Sequence, residues 1–133
     1  MNKKQLRQFI CAGRVGYLAS ASADGAPNCA VIGSATMPDD NHLLLGLGYN
    51  RTLDNLRHNG RAVFTVAEAG ESITRWQGAR LYLHVTEIAT DGALKEQVCS
   101  AIAAAVGSAA ADAIAAAVYF EITAIRPLLA FSH

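Results

Sequence analysis

Hydrophobic and polar positions alternate along most of the chain, a pattern that predicts β-strands joined by turns. Two segments depart from this alternation. Leu6, Phe9 and Ile10 recur at helical spacing within residues 3–12, and alanine dominates residues 93–117, so both segments are predicted as helices. A shorter helix is expected over residues 51–59. Strands are expected over residues 15–21, 28–37, 43–45, 61–67, 73–90 (as one strand or two) and 118–125.

Turn residues join the first three strands into antiparallel hairpins. Asp24-Gly25 supplies the positive backbone angles of a tight hairpin, Pro27 then begins the second strand, and residues 38–41 form another turn cluster. Short strands linked mainly by hairpins favour a closed antiparallel barrel, because closure removes the exposed sheet edges. A parallel α/β sheet is the weaker interpretation, since no helix separates these three strands.

The predicted fold is therefore mainly antiparallel β with helices, an α+β barrel of six strands in a single domain over residues 1–133. The chain is 52% hydrophobic and only 17% charged, which suggests that a partner or a ligand covers part of its apolar surface. We therefore expect a homodimer. Eleven basic residues balance eleven acidic ones, so the composition predicts binding neither to nucleic acid nor to an anionic membrane.

The cysteines indicate a reducing, cytoplasmic location. Cys11, Cys29 and Cys99 are odd in number and widely spaced, which fits neither a disulfide framework nor a zinc site, and the first two are interpreted as small buried residues. The N-terminus lacks the apolar core of a signal peptide. Residues 102–120 are apolar but rich in alanine and interrupted at Gly107, so they predict a soluble helix and no membrane span.

A glycine-containing loop, Gly-Leu-Gly-Tyr-Asn-Arg-Thr over residues 46–52, joins a strand to a helix start. Small residues allow close backbone approach, the first amides of a helix are free, Arg51 offers a forked cation and Thr52 a hydroxyl. These are the groups that bind a phosphate. A second interpretation of the same residues stays open, in which Asn50 or Thr52 only caps the helix and Arg51 is solvated.

Several motifs follow one another in a recognisable order. The segments GYLASASADGAPNCAVIGSATM, HLLLGLGYNRTLDNLRHNGRAVFTV and WQGARLYLHVTEI resemble the FMN-binding split-barrel family related to pyridoxamine 5'-phosphate oxidase. The shared features are Ala19-Ser20, Asp24-Gly25 with Pro27, Arg51-Thr52 with Asn55-Leu56, and the strand that opens at Arg61. The resemblance covers residues 9–90 in register, and the last helix and strand match only in kind.

The resemblance implies that FMN is the cofactor and lies at the interface of a homodimer. One segment would follow the isoalloxazine with its backbone amides and carbonyls: Ala30, Val31, Ile32, Gly33 and Ser34. A second would follow the ribityl chain, through Leu47, Gly48, Tyr49 and Asn50, and hold the phosphate with Arg51 and Thr52. Trp76, Gln77 or residues 131–133 are expected to reach the flavin from the partner chain.

The same resemblance implies an oxidoreductase or an electron carrier with an unknown substrate or redox partner. The chain is much shorter than true pyridoxamine 5'-phosphate oxidases and lacks their basic C-terminal ending, so vitamin B6 oxidation is not predicted. No side chain is an evident catalytic acid or base. The alternative is a non-enzymatic binding module of the same fold that holds haem, a deazaflavin or no cofactor.

The histidines predict no metal site. His42, His58, His84 and His133 are far apart and share no metal-ligand spacing, so each is interpreted as a surface or structural residue. His84 occupies a position where the family often has glycine, and the sequence leaves open whether it crowds the site or faces solvent.

Overall fold

Antiparallel strands with inserted helices make up residues 1–129, the part of the chain that this computed structural model describes. All strand pairs within those residues are antiparallel, which confirms the predicted fold class. In chain order the elements are α1 Lys3–Cys11, β1 Gly16–Ala21, β2 Pro27–Ile32, β3 Thr36–Asp39, β4 His42–Leu47, α2 Arg51–His58, β5 Arg61–Glu68, a 3-10 turn Ile73–Arg75, β6 Gln77–Ala89, α3 Gly92–Val106, α4 Ser108–Asp112 and β7 Ala116–Pro127.

The sheet closes on itself through a bend in the chain. Its hydrogen-bonded order is β2-β1-β5-β6-β7-β4-β3, so β2 and β3 lie at opposite ends. A flat sheet of this width would hold its outer strands roughly 29 Å apart. Only residues 33–35 separate β2 from β3, a connection that spans at most about 14 Å. The sheet must therefore curl into a barrel, in which β2 and β3 together act as one bent strand.

This bend corrects the strand predicted over residues 28–37. Inward positions follow the alternation at Asn28, Ala30 and Ile32, but the next buried residues are Ala35 and Met37, so the alternation shifts by one residue. The first half pairs with β1 and the second with β4, which confirms both predicted hairpins. Residues 1–129 therefore contain seven strands where the sequence predicts six.

Large apolar side chains fill the barrel. Alternate residues of each strand point inwards, as the two-residue period of a strand requires. Side chains from five strands are fully buried there, namely Leu18, Leu43, Leu45, Phe64, Leu81, Val118 and Phe120. The residues between them face outwards, and some, such as Leu44, are covered by helix α3.

The helices cover the barrel from outside. Helix α1 begins with a capping box between Asn2 and Gln5 and buries Leu6, Phe9 and Ile10 in the main core, as the helical spacing predicts. Helix α2 packs on β1 and β2, and α3 packs across β4, β6 and β7. No helix within residues 1–129 combines the length and the hydropathy that crossing a bilayer requires.

The long helix predicted over residues 93–117 is shorter and ends at Val106. Gly107 follows in the left-handed region, with φ 100°, and only the five-residue α4 continues in helical form. Ala116 and Ala117 instead begin β7, where they pair with Leu47 and Gly46 of β4 and are fully buried. The helix preference of alanine is small, so strand pairing and burial override it here.

We predict that Gly16→Ala destabilises the fold. A Cβ on Gly16 would lie 2.2 Å from Cζ of Phe64 and 2.9 Å from the carbonyl oxygen of Thr65, so the buried ring must move. The free energy of unfolding, measured in urea, should fall by about 1–3 kcal/mol.

Gly33→Ala is the matched control, because a Cβ on Gly33 meets nothing within 4 Å. Its effect on unfolding should stay within about 0.5 kcal/mol. Equal losses for the two variants would contradict the close packing of Phe64 against β1.

Candidate functional site

The sequence-predicted site residues occupy two segments that lie side by side. One runs along β2 into the bend, over residues 30–34, and the other joins β4 to α2, over residues 47–52. The hydroxyl of Ser34 accepts from the N–H of Gly46 at 3.1 Å and donates to its carbonyl oxygen at 3.4 Å. The Asn28 amide donates to Oγ1 of Thr52 at 3.0 Å. These contacts fix the two segments relative to each other.

The N-terminus of α2 is capped by Asn50, not by Thr52. The Asn50 side-chain oxygen accepts from the N–H of Leu53 at 2.9 Å, and its carbonyl accepts from the N–H of Asp54 at 3.2 Å. The amides of Arg51 and Thr52 precede these bonds, and within residues 1–129 they are the first-turn donors left for a ligand. The Arg51 side chain beside them is exposed.

Thr52 is buried although it lies in this first turn. Its residue surface is only 1% exposed, and its hydroxyl oxygen accepts from Asn28. A hydroxyl keeps one proton to donate after accepting a hydrogen bond, so the Thr52 O–H can still bond an acceptor placed beside the helix start. Its contribution to a phosphate site would therefore be that single donor.

A second buried polar contact holds α2 in place. The amide of Asn55 donates to the hydroxyl of Ser20 on β1 at 3.1 Å, and both residues are buried. In the sequence Asn55 and Ser20 stand out as family motif residues and Asn28 only as the start of a strand, so this pair of polar contacts was not predicted. Their positions could have indicated these contacts, because Asn28 and Ser20 are polar residues at inward positions of otherwise apolar strands.

A depression of about 550 Å³ surrounds the start of α2. Its charged side chains are Arg51 and Arg57, with Asp54 as the opposing anion in the first turn of the helix. Ser22 on its rim donates to the carboxylate of Asp24, and that hydrogen bond is the largest cause of the lowered pKa of Asp24. The remaining lining residues are Tyr49, Asn50, Leu53 and Asn55.

A second cavity, also of about 550 Å³, lies between the β2–β3 bend and α3. It is lined by residues 31–36 on one side, including four predicted site residues, and by one face of α3 on the other. Gly46 forms part of its floor, where a Cβ would lie 2.8 Å from Cγ1 of Val98. The glycine therefore permits the close approach of α3 to β4.

Several of the predicted site residues face the interior of the protein. Leu47 is buried in the core, and its carbonyl oxygen accepts from the N–H of Ala115 at 2.8 Å. A Cβ on Gly48 would lie 3.1 Å from the carbonyl oxygen of Ala113. Ala30 and Ile32 point inwards, so these two residues can offer a ligand their backbone groups but not their side chains.

The residues expected to act from a partner chain lie elsewhere in this chain. Trp76 and Gln77 line a separate cavity of about 800 Å³ with the C-terminal end of β7. Residues 131–133 lie outside the described part of the chain. His84 is exposed and stands beside Arg61 and Glu121 on the neighbouring strands, so it faces solvent and does not crowd the predicted site.

The cysteine interpretation needs correction, because Cys11 and Cys29 are exposed. Cys29 occupies an outward position of β2, between the inward Asn28 and Ala30. Cys11 ends α1, where its sulfur accepts from the N–H of Met37 at 3.5 Å. Among residues 1–129 no three His, Cys, Asp or Glu side chains are grouped to hold a metal ion.

Comparison with known proteins places the chain in a family. The family model for pyridoxamine 5'-phosphate oxidase matches residues 3–128. A search of curated proteins finds no match.

Several solved structures share the fold. An FMN-binding protein from Syntrophomonas wolfei superposes with a TM-score of 0.85 at 20% identity, over 97% of this chain and 87% of that one. An FAD-binding protein from Mesorhizobium loti gives 0.68 at 20% identity, over 94% and 92%. The haem storage protein HutZ from Vibrio cholerae gives 0.69 at 14% identity, over 96% and 90%.

The buried contact between Ser20 and Asn55 can be measured by a double-mutant cycle. Ser20→Ala leaves the Asn55 amide without its acceptor, so the free energy of unfolding should fall by about 1–3 kcal/mol. Asn55→Ala should act similarly, and the double variant should lose less than the sum of the two. Strict additivity would mean that the hydrogen bond does not help to hold α2 on β1.

Proposed function

The chain belongs to the pyridoxamine 5'-phosphate oxidase family, and on that basis we propose that it is a dimeric FMN-binding flavoprotein. It acts as an oxidoreductase or an electron carrier. When bound, FMN supplies the redox chemistry, while the protein positions the ring and controls access of water to it. The flavin-binding proteins that share this fold support the choice of cofactor.

The main support for this proposal is that the start of α2 has groups suited to bind the phosphate of FMN. Two first-turn amides, the exposed Arg51 and the remaining proton of Thr52 all belong to one helix end. The partial positive charge of a helix N-terminus favours an anion, and an arginine adds charge-assisted hydrogen bonds. Asp54 opposes an anion there, but Arg51 and Arg57 together outweigh its charge, and Arg51 is the arginine at the free amides.

The free edge of β2 fits the polar side of the isoalloxazine. Strand β2 pairs with β1 on one side only, and it ends the hydrogen-bonded order of the sheet. An edge strand presents unpaired N–H and C=O groups, and these match the alternating donors and acceptors of a flavin ring. Val31 and Gly33 are exposed along this strand and its bend, so a ring can approach closely.

A haem-binding module of the same fold is the second candidate, because the haem storage protein HutZ shares the architecture. Haem iron needs an axial ligand, most often histidine, cysteine, methionine or tyrosine. Within the described residues no histidine or methionine lines either cavity, whereas Cys11 lines the one at the bend and Tyr49 the one at α2. The two first-turn amides and Arg51 at the start of α2 suit a phosphate, which FMN has and haem lacks, and this favours FMN. Purified protein that is yellow and releases FMN on denaturation supports the proposal, whereas colourless protein that FMN cannot reconstitute refutes it.

We predict that Arg51→Ala weakens FMN binding by tenfold or more, because a charge-assisted hydrogen bond contributes about 1.5–3 kcal/mol. Riboflavin has no phosphate, so its affinity should change little. Fluorescence titration of both flavins measures this difference. Thr52→Ala should act in the same direction with a smaller effect, and it should also lower stability because Asn28 loses its acceptor.

Arg57→Ala is the matched control, since Arg57 lines the same depression from the last turn of α2. It should weaken FMN less than Arg51→Ala does, because it lies away from the free amides. Equal losses of FMN and riboflavin affinity in Arg51→Ala would remove this helix end from the phosphate site.

We further predict that the protein sediments as a dimer of mass near twice 14.0 kDa. The outer face of β2, β1 and β5 carries apolar residues in register: the exposed Tyr17 stands opposite the exposed Val31, and the exposed Ala19 opposite the half-buried Val63. An exposed apolar patch of this kind suits an isologous interface.

Tyr17→Glu should shift sedimentation towards the monomer, because a charge opposes burial of this face. Ile73→Glu is the control: Ile73 and Tyr17 are each 52% exposed, but Ile73 lies in the 3-10 turn, outside this face. A wild-type protein that stays monomeric at micromolar concentration with FMN bound would overturn the dimer.

A further inference from the structure

We infer that the cavity between the β2–β3 bend and α3 is a substrate site for an uncharged, flat, mainly apolar molecule. This inference rests on the proposed function, because it places the molecule next to the strand assigned to the isoalloxazine. The proposed function assigns FMN to residues 30–34 and 47–52, which leaves the wall formed by α3 to select a second ligand.

The α3 wall is mainly apolar, with two alanines that leave space between larger side chains. Gln97, Ala101 and Ala105 lie four residues apart and share one side of the helix, with Ile102 and Val106 beside them. Ala101 and Ala105 are exposed although they are apolar, and Val106 is 72% exposed. An apolar ligand in this concave space would bury these apolar side chains from water, which favours its binding.

Charge decides the class of ligand. Of the described residues that line this cavity, none carries a charge, and Gln97, Ser34, Thr36 and Cys11 provide its polar side chains. The Ser34 hydroxyl is already paired with the backbone of Gly46. An anion or a cation would lose its hydration without gaining a partner of opposite charge, which is costly. The depression around α2, by contrast, contains Arg51 and Arg57.

Size favours a small molecule over a protein segment. The partly open volume of about 550 Å³ between the bend and the helix falls within the range of ligand pockets, roughly 300–1,000 Å³. A flat aromatic molecule can lie between the apolar α3 wall and the opposite wall, where it would face the flavin ring. Gln97 at the edge can donate to or accept from one polar group on the ligand.

Two naphthalene probes test this assignment by binding alone. β-Naphthol is uncharged at neutral pH and β-naphthalenesulfonate is an anion of nearly the same shape, so their affinities for the FMN-loaded protein and for the FMN-free protein are compared by fluorescence. Naphthol should bind at least about tenfold more tightly. Equal affinities, or no binding of either probe because a second copy covers the cavity, would overturn the inference.

Variants of α3 locate the probe. Ala101→Glu places a charge on the cavity wall and should weaken naphthol at least about tenfold, and Ala101→Leu should weaken it by filling space. Ala104→Glu and Ala104→Leu are the controls, because Ala104 is exposed on the same helix and does not line the cavity. They should leave naphthol affinity unchanged. Similar losses at both positions would refute the site.

FMN titration of the same samples separates this inference from the proposed function. FMN binding without a preference for naphthol refutes the substrate site and leaves the flavoprotein proposal standing. A naphthol preference that depends on Ala101, in protein that cannot bind FMN, supports an apolar ligand site and refutes the flavoprotein proposal.

Discussion

Closure of the barrel through residues 33–35 is the constraint on which the rest of this structure depends. These residues connect the two ends of the hydrogen-bonded order, β2 and β3, so the sheet has to curl around the core of Phe64, Phe120 and their neighbours. Residues 33–35 link β2 to β3 covalently, but no backbone hydrogen bonds join these two strands, since β2 pairs on one side only. The resulting edge of unpaired backbone groups lies beside the helix end that offers free amides.

The candidate site therefore depends on what covers this unpaired edge of β2. Helix α2 covers the region and is tied to β1 and β2 by two buried polar contacts, Asn55 to Ser20 and Thr52 to Asn28. Buried hydrogen bonds of this kind specify one position for a helix, because any other position leaves a polar group without a partner. A short helix held in this way can present its first turn with a fixed geometry, as recognition of an anion requires.

Two concavities of similar volume then differ in chemistry. The one at α2 contains two arginines and one aspartate, and the one at α3 is lined by apolar and uncharged side chains. The alanine-rich composition of α3 supplies that second surface, because small side chains leave space where larger ones would fill the groove. Gly46 contributes from below by letting Val98 approach β4. The two helices, both packed on the same sheet, thus offer one surface suited to a charged group and another suited to an apolar group.

The sequence by itself determined the element types, the antiparallel barrel, the amphipathic α1 and the loop before α2, because strand and helix periods and turn residues act locally. It also carried the family resemblance, which the family match confirms. Only the tertiary structure decided that residues 28–37 bend at 33–35, where the two halves pair with different strands, β1 and β4. It also decided that Ala116 and Ala117 leave the helix for β7, since they pair with the distant strand β4. The same holds for the exposure of Cys29 and the burial of Thr52. The burial of a residue depends on residues that pack against it from far along the chain, and the local hydrophobic pattern does not identify those residues.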